Sequence, residues 1–469
     1  MPAVSESPLI PLAPLDAGFL LTESETTTWH VLGVLVLDAS TASAPITVER
    51  VRQLVRERLP TIEAFRLRLA GGWPTPHWVE TSQIDLDHHV VRADLPAGAG
   101  LDDLARLAGD VASRPLDRSR PLWELHVAEH LAGDRAGLVA KVHHALADGV
   151  AAVGILAALF DLEPAPPPVE VPSLEPLPDR GRRGTLIRNG TAALVAWPLR
   201  AARAGVRLAG SAWSVLRGAR RAGGLTLPFA GPRTGLHQPL TSARQATLAT
   251  LPLDDVRVVK SALGGTFNDV VLAVTAGALR RWMAAGDGVP DRPLVAAVPA
   301  SVRPDHGGDP RLRNQVSVLM VPLPTHLEDP GARFDAVRRG TAASKAAHEQ
   351  FGSGTLSGLA AAAPWRALAL LWRASWRVGT AHLLPPVVNL VLSNVPGPPV
   401  PLYLAGGRLV GLFPLGPLLE GVPLNVTVVS REDALEVGIL SCPDTTPDTA
   451  PLAGWFAEAL GELVELTPP

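Results

Sequence analysis

Two adjacent histidines, His143 and His144, followed by Asp148 and Gly149, are the residues of this chain best suited to chemistry. They stand between an apolar run typical of a strand and an apolar run typical of a helix. A histidine, whose ordinary pKa is about 6.5, can take a proton from a hydroxyl near neutral pH and return it later. A histidine at a strand end beside a cleft therefore suits the role of a general base.

The alternation of side chains along a strand separates the two rings. Successive side chains point to opposite faces, so His144 is predicted to share a face with Ala140 and Val142, and His143 to share the other with Lys141. The rings then cannot converge on one metal ion, and no third ligand stands at a recognisable spacing. We expect no metal site. Because the sequence also has no G-x-S-x-G nucleophile elbow, a hydroxyl acceptor would attack an activated acyl group directly.

The surrounding sequence predicts the elements that position these residues. Short β-branched runs alternate with amphipathic stretches such as residues 47–59, for which Thr47 is the predicted N-cap. This interleaving is typical of an α/β fold. We predict one domain over residues 1–165, a proline-rich linker and basic crossover helix over residues 166–235, and a second domain over residues 236–469.

Composition narrows the function classes. The net charge of −3 argues against nucleic-acid binding. The single cysteine, Cys442, excludes an intrachain disulfide and a multi-cysteine metal site, and is interpreted as an incidental thiol. The N-terminus does not resemble a signal peptide and no apolar run is long enough to span a bilayer, so we expect a cytoplasmic protein. Residues 180–253 contain arginines but no acidic residue, which fits either a packed inter-domain helix or a membrane-interface helix.

A family resemblance extends these inferences. The heptapeptide HHxxxDG (residues 143–149) resembles the active-site motif of CoA-dependent acyltransferases. "PLAPLDAGFLLTE", "PLDRSRPLWELHV", "FNDVVLAVTAGALR" and "LSNVPGPPVPLYLAGGRL", in this order, resemble the bacterial wax ester synthase/diacylglycerol acyltransferase family. The resemblance implies a two-domain fold of mixed sheets flanked by helices, with the active site in the inter-domain cleft. It also implies acyl transfer from acyl-CoA to the hydroxyl of diacylglycerol or a fatty alcohol.

The resemblance assigns roles to individual residues. His144 would be the general base and His143 a supporting residue. Asp148 would be structural, pairing with Arg303, which agrees with its position as a predicted helix N-cap. Asn268 would contribute to the active site near a developing oxyanion, although its position after two glycines also suits a simple N-cap.

The resemblance also places Gly149, Glu23 and Trp123 around the substrates, with an ordinary core position as the alternative for Trp123. Acyl-CoA would enter as a substrate, and no cofactor is expected. Both substrates partition into lipid, so the protein is expected to associate peripherally with the inner membrane or with lipid inclusions. Two alternatives stay open: an acyltransferase with another hydroxyl or amine acceptor, and a catalytically silent lipid-binding relative.

Overall fold

A computed structural model describes residues 9–71, 76–96, 98–146, 154, 158–166, 229–301, 316–351, 365–381 and 385–468. The elements of the first half are β1 (Ile10–Pro11), α1 (Pro14–Thr22), β2 (His30–Asp38), α2 (Val48–Arg58), β3 (Leu67–Ala70), β4 (His77–Glu80), α3 (Leu86–His89), β5 (Val90–Arg92), α4 (Leu101–Ser113), β6 (Trp123–Leu131) and β7 (Arg135–His143). Most of the predicted linker lies outside these residues.

The second half carries longer helices between its strands. Its elements are β8 (Gln245–Pro252), α5 (Leu253–Leu263), α6 (Phe267–Ala285), β9 (Leu294–Ser301), β10 (Val316–Leu323), α7 (Pro330–Phe351), α8 (Trp365–Arg377), β11 (Leu390–Pro396), β12 (Tyr403–Leu404), β13 (Gly407–Leu415), β14 (Leu424–Arg431), β15 (Ala434–Ser441) and α9 (Leu452–Val464).

Two six-stranded sheets carry the architecture. The first has the strand order β12-β13-β2-β7-β6-β5, and the second β10-β9-β11-β14-β15-β8. Parallel pairs, such as β5 with β6 and β11 with β14, occur beside antiparallel ones in both sheets. A small third sheet joins β1, β4 and β3. The prediction of an α/β fold with mixed sheets and flanking helices is confirmed.

Helices cover both faces of the first sheet. On one face, apolar residues of α2 pack against β2, β6 and β7. On the other, α4 packs against the same strands together with residues of β8 and β15. The spacing of the buried residues explains this, because Val48, Val51 and Val55 form one stripe on α2. Thr47 caps that helix as predicted, its hydroxyl accepting from the N–H of Arg50.

One strand crosses the predicted domain boundary. The predicted ranges assign residues 236–469 to one domain, yet β13 lies in the first sheet, paired antiparallel with β2 along most of its length. On its way β13 passes directly over β15, where a Cβ atom on Gly438 would collide with the carbonyl oxygen of Pro414. The sequence periodicity of β13 resembles that of its neighbours in the chain and does not reveal which sheet it joins.

Across the described ranges, no single helix is both long enough and apolar enough to cross a membrane. Helices α5 and α6 meet that test only as a pair, and the pair is bent by 107°.

Candidate active site

His144 follows the last residue of β7 and is held from two directions. Its backbone N–H donates to the carbonyl oxygen of Trp29 at 2.7 Å, which extends the ladder between β7 and β2 by one step. Its ring packs against Phe19 of α1, with ring centroids 4.6 Å apart, and meets the Trp29 ring edge-on at 6.5 Å. Backbone and ring contacts together fix the direction in which the imidazole points.

The imidazole of His144 borders a cavity of about 330 Å³ between the two large sheets. One wall comes from Ala140 and Val142 of β7 with neighbouring residues of β2 and β13, and the facing wall from β9, β10, β11 and β14. The position of His144 beside Ala140 and Val142 agrees with the predicted alternation along the strand. The site therefore lies in the cleft between the sheets.

The cavity is apolar apart from a few side chains. Besides His144, the polar side chains in its lining are Ser393, Asn425 and Thr427. Thr427 donates to the Asn425 amide oxygen at 2.8 Å, and the Asn425 amide nitrogen donates to the carbonyl oxygen of Pro417 at 3.0 Å. Ser393 stands beside Thr427 on the adjacent parallel strand. A hydrocarbon chain can lie in this space with its reactive end at the imidazole.

A second cavity of about 480 Å³ adjoins the first. Four residues line both: Leu15, Phe19, Trp29 and Leu419. Its remaining walls include Trp372 of α8, the segment Pro386–Val388, and the polar side chains His237, Arg373 and Glu420. The Trp29 ring in the shared wall is anchored, because its indole N–H donates to the hydroxyl of Thr22 at 2.9 Å. Two apolar spaces thus meet at the rings that contact His144.

His143 points to the opposite face of β7. It is 1% exposed, and its Nδ1 accepts from the backbone N–H of Ala145 at 3.0 Å. Its Nε2 lies 3.6 Å from a carboxylate oxygen of Glu23. Directly opposite on β2 stands His30, whose ring centroid is 5.8 Å away. The predicted separation of the two adjacent rings is what the structure shows.

Glu23 is a partner of the first histidine. Its carboxylate lies 3.5 Å from Nε2 of His30 and accepts from Nε of Arg118 at 2.9 Å. Burial raises its pKa, but the contacts with His143, His30 and Arg118 outweigh burial and hold the pKa well below its ordinary range. Glu23 lines neither described cavity and sits as an anion on the opposite face of β7 from His144, and its expected contact with the substrates stays a prediction.

Further charged groups lie on the face of His143. Lys141 is fully buried, donates to the carbonyl oxygen of Arg114, and lies 3.9 Å from Glu124. Burial lowers the pKa of Lys141 to about 8. Burial also lowers the pKa of His30, to about 4, against the opposing influence of Glu23. His30 is thus neutral near pH 7, and the charges of this face reside on Glu23, Glu124, Lys141 and Arg118.

Asn268 lies in the first turn of α6 but is not its cap. Thr266 is the N-cap, and Asp269 completes a capping box by accepting from the Thr266 N–H at 2.8 Å. Asp269 also accepts from the hydroxyl of Thr341 at 2.6 Å. Asn268 itself lines neither described cavity. Its predicted active-site contribution stays a prediction.

Trp123 belongs to the core, which corrects its assignment to the substrate channel. Its ring is fully buried and stacks on Phe65 and on His89, with centroids 4.2 Å away in each case. Its indole N–H donates to the carbonyl oxygen of Phe65 at 3.0 Å. With both faces and its polar atom occupied, Trp123 has no surface left for a ligand. The alternative of an ordinary core position is the right one.

Several predicted residues lie outside the described part of the chain: Asp148, Gly149 and Arg303 of the site, and the arginines of the acid-free segment up to Arg221. Within the described part, no group of three or more His, Cys, Asp or Glu side chains is arranged to hold a metal ion. Cys442 is buried just after β15, where its sulfur lies 3.4 Å from the backbone nitrogen of Thr241.

Some residues of the site were missed by the sequence reasoning. Phe19 and Ser393 lie inside the quoted stretches "PLAPLDAGFLLTE" and "LSNVPGPPVPLYLAGGRL", but no spacing rule marks them as cavity residues. His30 begins a strand, and only the register of β2 against β7 shows that it faces His143. A histidine at a strand end close to a carboxylate in sequence, as His30 is to Glu23, was the available indication.

Known proteins resemble this chain along most of its length. The family model described as the wax ester synthase/diacylglycerol acyltransferase catalytic domain matches residues 12–271, and the model of the C-terminal domain of the same family matches residues 312–464. A putative diacylglycerol O-acyltransferase of Mycobacterium tuberculosis (strain CDC 1551 / Oshkosh) is 36% identical, over 97% of this chain and 90% of its own. A probable diacylglycerol O-acyltransferase of the strain H37Rv is 33% identical, over 96% and 98%.

Solved structures also resemble this chain. The wax ester synthase/diacylglycerol acyltransferase of Marinobacter aquaeolei VT8 superposes with a TM-score of 0.68 at 27% identity, covering 97% of this chain and 98% of that one. The starter condensation domain of rhizomide synthetase gives a TM-score of 0.54 at 13% identity, covering 98% and 96%, and this likeness concerns the fold alone.

Proposed function

This chain belongs to the wax ester synthase/diacylglycerol acyltransferase family, and we propose that His144 is the general base of its reaction. The protein is an acyl-CoA-dependent O-acyltransferase, which moves a fatty acyl group to the hydroxyl of a diacylglycerol or a long-chain alcohol. The products are triacylglycerol or wax ester and free CoA.

The proposed mechanism has one base and no covalent enzyme intermediate. The acceptor hydroxyl gives its proton to the His144 imidazole while its oxygen attacks the thioester carbonyl carbon. The C–S bond then breaks, the carbonyl re-forms, and the CoA thiolate takes the proton back from the imidazolium. Each step is a proton transfer or an acyl exchange, so we propose that neither a metal ion nor a redox cofactor is required.

The observation that supports this role is the placement of His144 at the cavity. Among the described residues that line the 330 Å³ space, His144 is the one whose side chain can exchange a proton near neutral pH. The rest of the lining is almost entirely apolar. A base in such surroundings reaches the reacting hydroxyl without competition from bulk water, provided that the substrates fill the space.

We propose that the two cavities hold the two substrates. The acyl chain of acyl-CoA would lie in the cavity between the sheets, and the hydrocarbon of the acceptor in the second one. Both spaces border Phe19 and Trp29, the two rings that contact His144. This arrangement brings the thioester carbon and the acceptor oxygen to the imidazole from different sides, which favours the near-attack geometry that acyl transfer needs.

Roles for Asp148, Gly149 and Arg303 rest on the family resemblance. We propose that Asp148 pairs with Arg303 and holds the turn after His144, and that Gly149 lies near the substrates. Asp148→Ala is expected to lower both activity and thermal stability, with N-cap loss costing about 0.5–2 kcal/mol. Arg303→Ala should lower them in the same proportion. An unchanged stability in both variants would contradict this pairing.

The protein is further proposed to work at a lipid surface, either the inner membrane or lipid inclusions. Helix α8 and the residue that follows it support this, because they expose Leu370, Leu371 and Val378, at 61%, 69% and 71%. The same helix has an exposed Arg377 and no acidic residue, which suits an anionic surface. Its inner face carries Trp372 in the wall of the second cavity. An acceptor dissolved in lipid would therefore enter the second cavity by passing alongside α8.

Flotation with vesicles containing anionic lipid tests the proposed surface. Leu371→Ser combined with Val378→Ser should reduce binding several-fold, whereas Leu162→Ser, at an equally exposed position with 70% exposure, should not. Equal binding of all three proteins would contradict docking through α8. Replacement of Arg200, Arg203 and Arg207 examines the acid-free segment in the same assay.

The deciding experiment for the function measures CoA release from palmitoyl-CoA by the purified protein. Dipalmitoylglycerol, hexadecanol and a long-chain amine are offered in parallel, with His144→Ala alongside. Turnover with a hydroxyl acceptor that disappears in the variant supports the proposal. Turnover that persists in His144→Ala would overturn the role of the base, and binding of palmitoyl-CoA without turnover would favour a silent lipid-binding relative.

A further inference from the structure

The charged cluster on the face of β7 opposite His144 points to a role that the general-base proposal does not include. Glu23 and Arg118 come from two separate stretches that the family resemblance singled out, "PLAPLDAGFLLTE" and "PLDRSRPLWELHV". In the folded chain they form an ion pair beside His143. Neither residue lines a described cavity. The two described cavities therefore do not explain why these residues meet.

The position of Glu23 is set by the end of α1. Glu23 is the C-cap of this helix, and its backbone N–H donates to the carbonyl oxygen of Phe19 at 3.0 Å. Arg118 braces the same helix end, since it donates to the carbonyl oxygen of Leu20 at 2.7 Å as well as to the carboxylate. The Glu23 side chain is 9% exposed. A carboxylate so fixed presents its charge in one direction.

That charge faces the proton-bearing side of His143. Because Nδ1 of His143 accepts from the Ala145 N–H, a neutral ring carries its proton on Nε2. Nε2 lies 3.6 Å from the carboxylate, which is too long for a strong hydrogen bond but within reach of a charge–dipole attraction. An anion at this point favours the tautomer with the proton on Nε2. It thereby keeps Nδ1 free to accept from Ala145.

The hydrogen bond from the Ala145 N–H to the His143 ring matters because His144 directly precedes Ala145 in the chain. His144 stands between two backbone anchors: its own N–H, bound to Trp29, and the N–H of Ala145, bound to the His143 ring. The carbonyl oxygen of His143 accepts from Leu146 at 2.9 Å and closes the turn. A His143 ring with the other tautomer would present an N–H to the Ala145 N–H, which repels it. The turn and the direction of the His144 imidazole would then change.

We propose that Glu23, held by Arg118, is a positioning residue for the reaction. It fixes the tautomer of His143 and, through the His143–Ala145 bond, the turn that carries His144. This inference rests on the proposed role of His144 as the base. It assigns to the first histidine the task of holding the second, and to Glu23 the task of orienting the first.

A double-mutant cycle tests this chain of contacts. Glu23→Gln keeps the shape and removes the charge, and is expected to lower kcat by about 10- to 100-fold with an unchanged KM for palmitoyl-CoA. In His143→Asn, the amide oxygen replaces Nδ1 as acceptor and has no tautomer to control. In that background Glu23→Gln should have little further effect, so the two changes couple. Glu80→Gln, which breaks a partly buried ion pair with Arg66 elsewhere, is the matched control and should leave kcat unchanged.

Two results would overturn the inference: a wild-type kcat for Glu23→Gln, or equal losses in both backgrounds, which would mean that Glu23 acts independently of His143. If Glu23→Gln folds poorly, Glu23→Asp retains the charge but withdraws it, and should lower kcat without raising KM. A wild-type kcat in Glu23→Asp would then count against the inference. His144→Ala separates the two levels: activity in that variant refutes the general base, whereas an inactive His144→Ala with an unaffected Glu23→Gln refutes only the positioning role.

Discussion

The two faces of β7 at its last residues differ sharply from each other. On one face, His144 borders an apolar cavity with few polar side chains. On the other, His143 lies among the charged groups Glu23, Lys141, Glu124 and Arg118. Two residues adjacent in sequence therefore experience opposite environments.

The difference shows how a strand end can divide the work of a site. The face that carries His144 must admit two hydrocarbon-rich substrates. Fixed charges on this face would be buried, and each would cost free energy unless it was paired. The supporting face is largely buried, and its charges are paired with one another. Because the side chains of a strand alternate, a single peptide bond separates the proposed base, His144, from His143, which we propose orients it.

The most direct test of this difference between the two faces of β7 is to replace each histidine by asparagine. His144→Asn removes the base and is expected to lower kcat by about 100- to 10,000-fold. His143→Asn keeps an acceptor for the Ala145 N–H and should lower kcat by about tenfold. CoA release with palmitoyl-CoA and hexadecanol measures both, with thermal melts to verify folding. Equal losses in the two variants would mean that the two faces do not divide the work.

Narrowing each cavity with a larger side chain tests the face that carries His144. Val391→Trp narrows the space between the sheets and should lower kcat/KM for palmitoyl-CoA, relative to octanoyl-CoA, by about tenfold or more. Val387→Trp narrows the second cavity and should do the same for hexadecanol relative to a short alcohol. Val258→Trp, at an exposed position on α5, is the control. If Val387→Trp changed the acyl-CoA preference instead, the assignment of the substrates to the cavities would be reversed.

The largely buried supporting face should make the protein sensitive to acid. Burial lowers the pKa of His30 from 6.5 to about 4, so between these values the unfolded chain binds a proton that the folded chain does not. Stability is therefore fully present above the unfolded value and falls as the pH drops toward 4. Burial also lowers the pKa of His89, which stacks on Trp123 at the other face of the sheet, to about 4.

Urea unfolding at about pH 7 and about pH 5 should show a loss of roughly 1–3 kcal/mol between the two. His30→Gln removes one of the groups responsible, and its stability should depend less on pH in this window. A wild-type protein as stable at the lower pH as at the higher one would contradict the neutral, buried state of His30.

Replacement of Trp123 has the smallest expected effect on activity. Trp123 shares the face of His144, but it lies beyond the cavity. Trp123→Phe loses the hydrogen bond to the Phe65 carbonyl and should destabilise the fold by about 0.5–1.5 kcal/mol. Its kcat and KM should stay at wild-type values for both substrates. A raised KM would return Trp123 to the substrate channel from which the structure removes it.

Local patterns in the sequence predicted the local structure well. The helix over residues 47–59 and its Thr47 cap follow from apolar spacing and cap chemistry, both of which act within one turn. The opposite orientations of His143 and His144 follow from strand alternation. Asn268 shows the limit of this reasoning: the cap of α6 is Thr266, two residues earlier, since its hydroxyl and Asp269 satisfy each other's backbone groups.

Contacts between distant parts of the chain could not be predicted in this way. Glu23 and Arg118 are separated by 95 residues, and no periodicity links them. The walls of the cavity come from both sheets, and the pairing of β11 with β14 decides that Ser393 and Thr427 stand side by side. The family resemblance supplied the fold and the reaction, but a motif gives no direction for a side chain, and it placed in the channel a Trp123 that lies in the core.

Strand β13 belongs to the second half of the chain but pairs in the first sheet, and this has a consequence for how the chain folds as it is made. The strand that pairs with β2 is Gly407–Leu415, so the first sheet stays open at β2 until most of the chain has left the ribosome. An open strand edge is a template for pairing with other chains. Nascent or truncated forms that end before residue 407 are therefore the ones most exposed to aggregation, however complete their histidine motif.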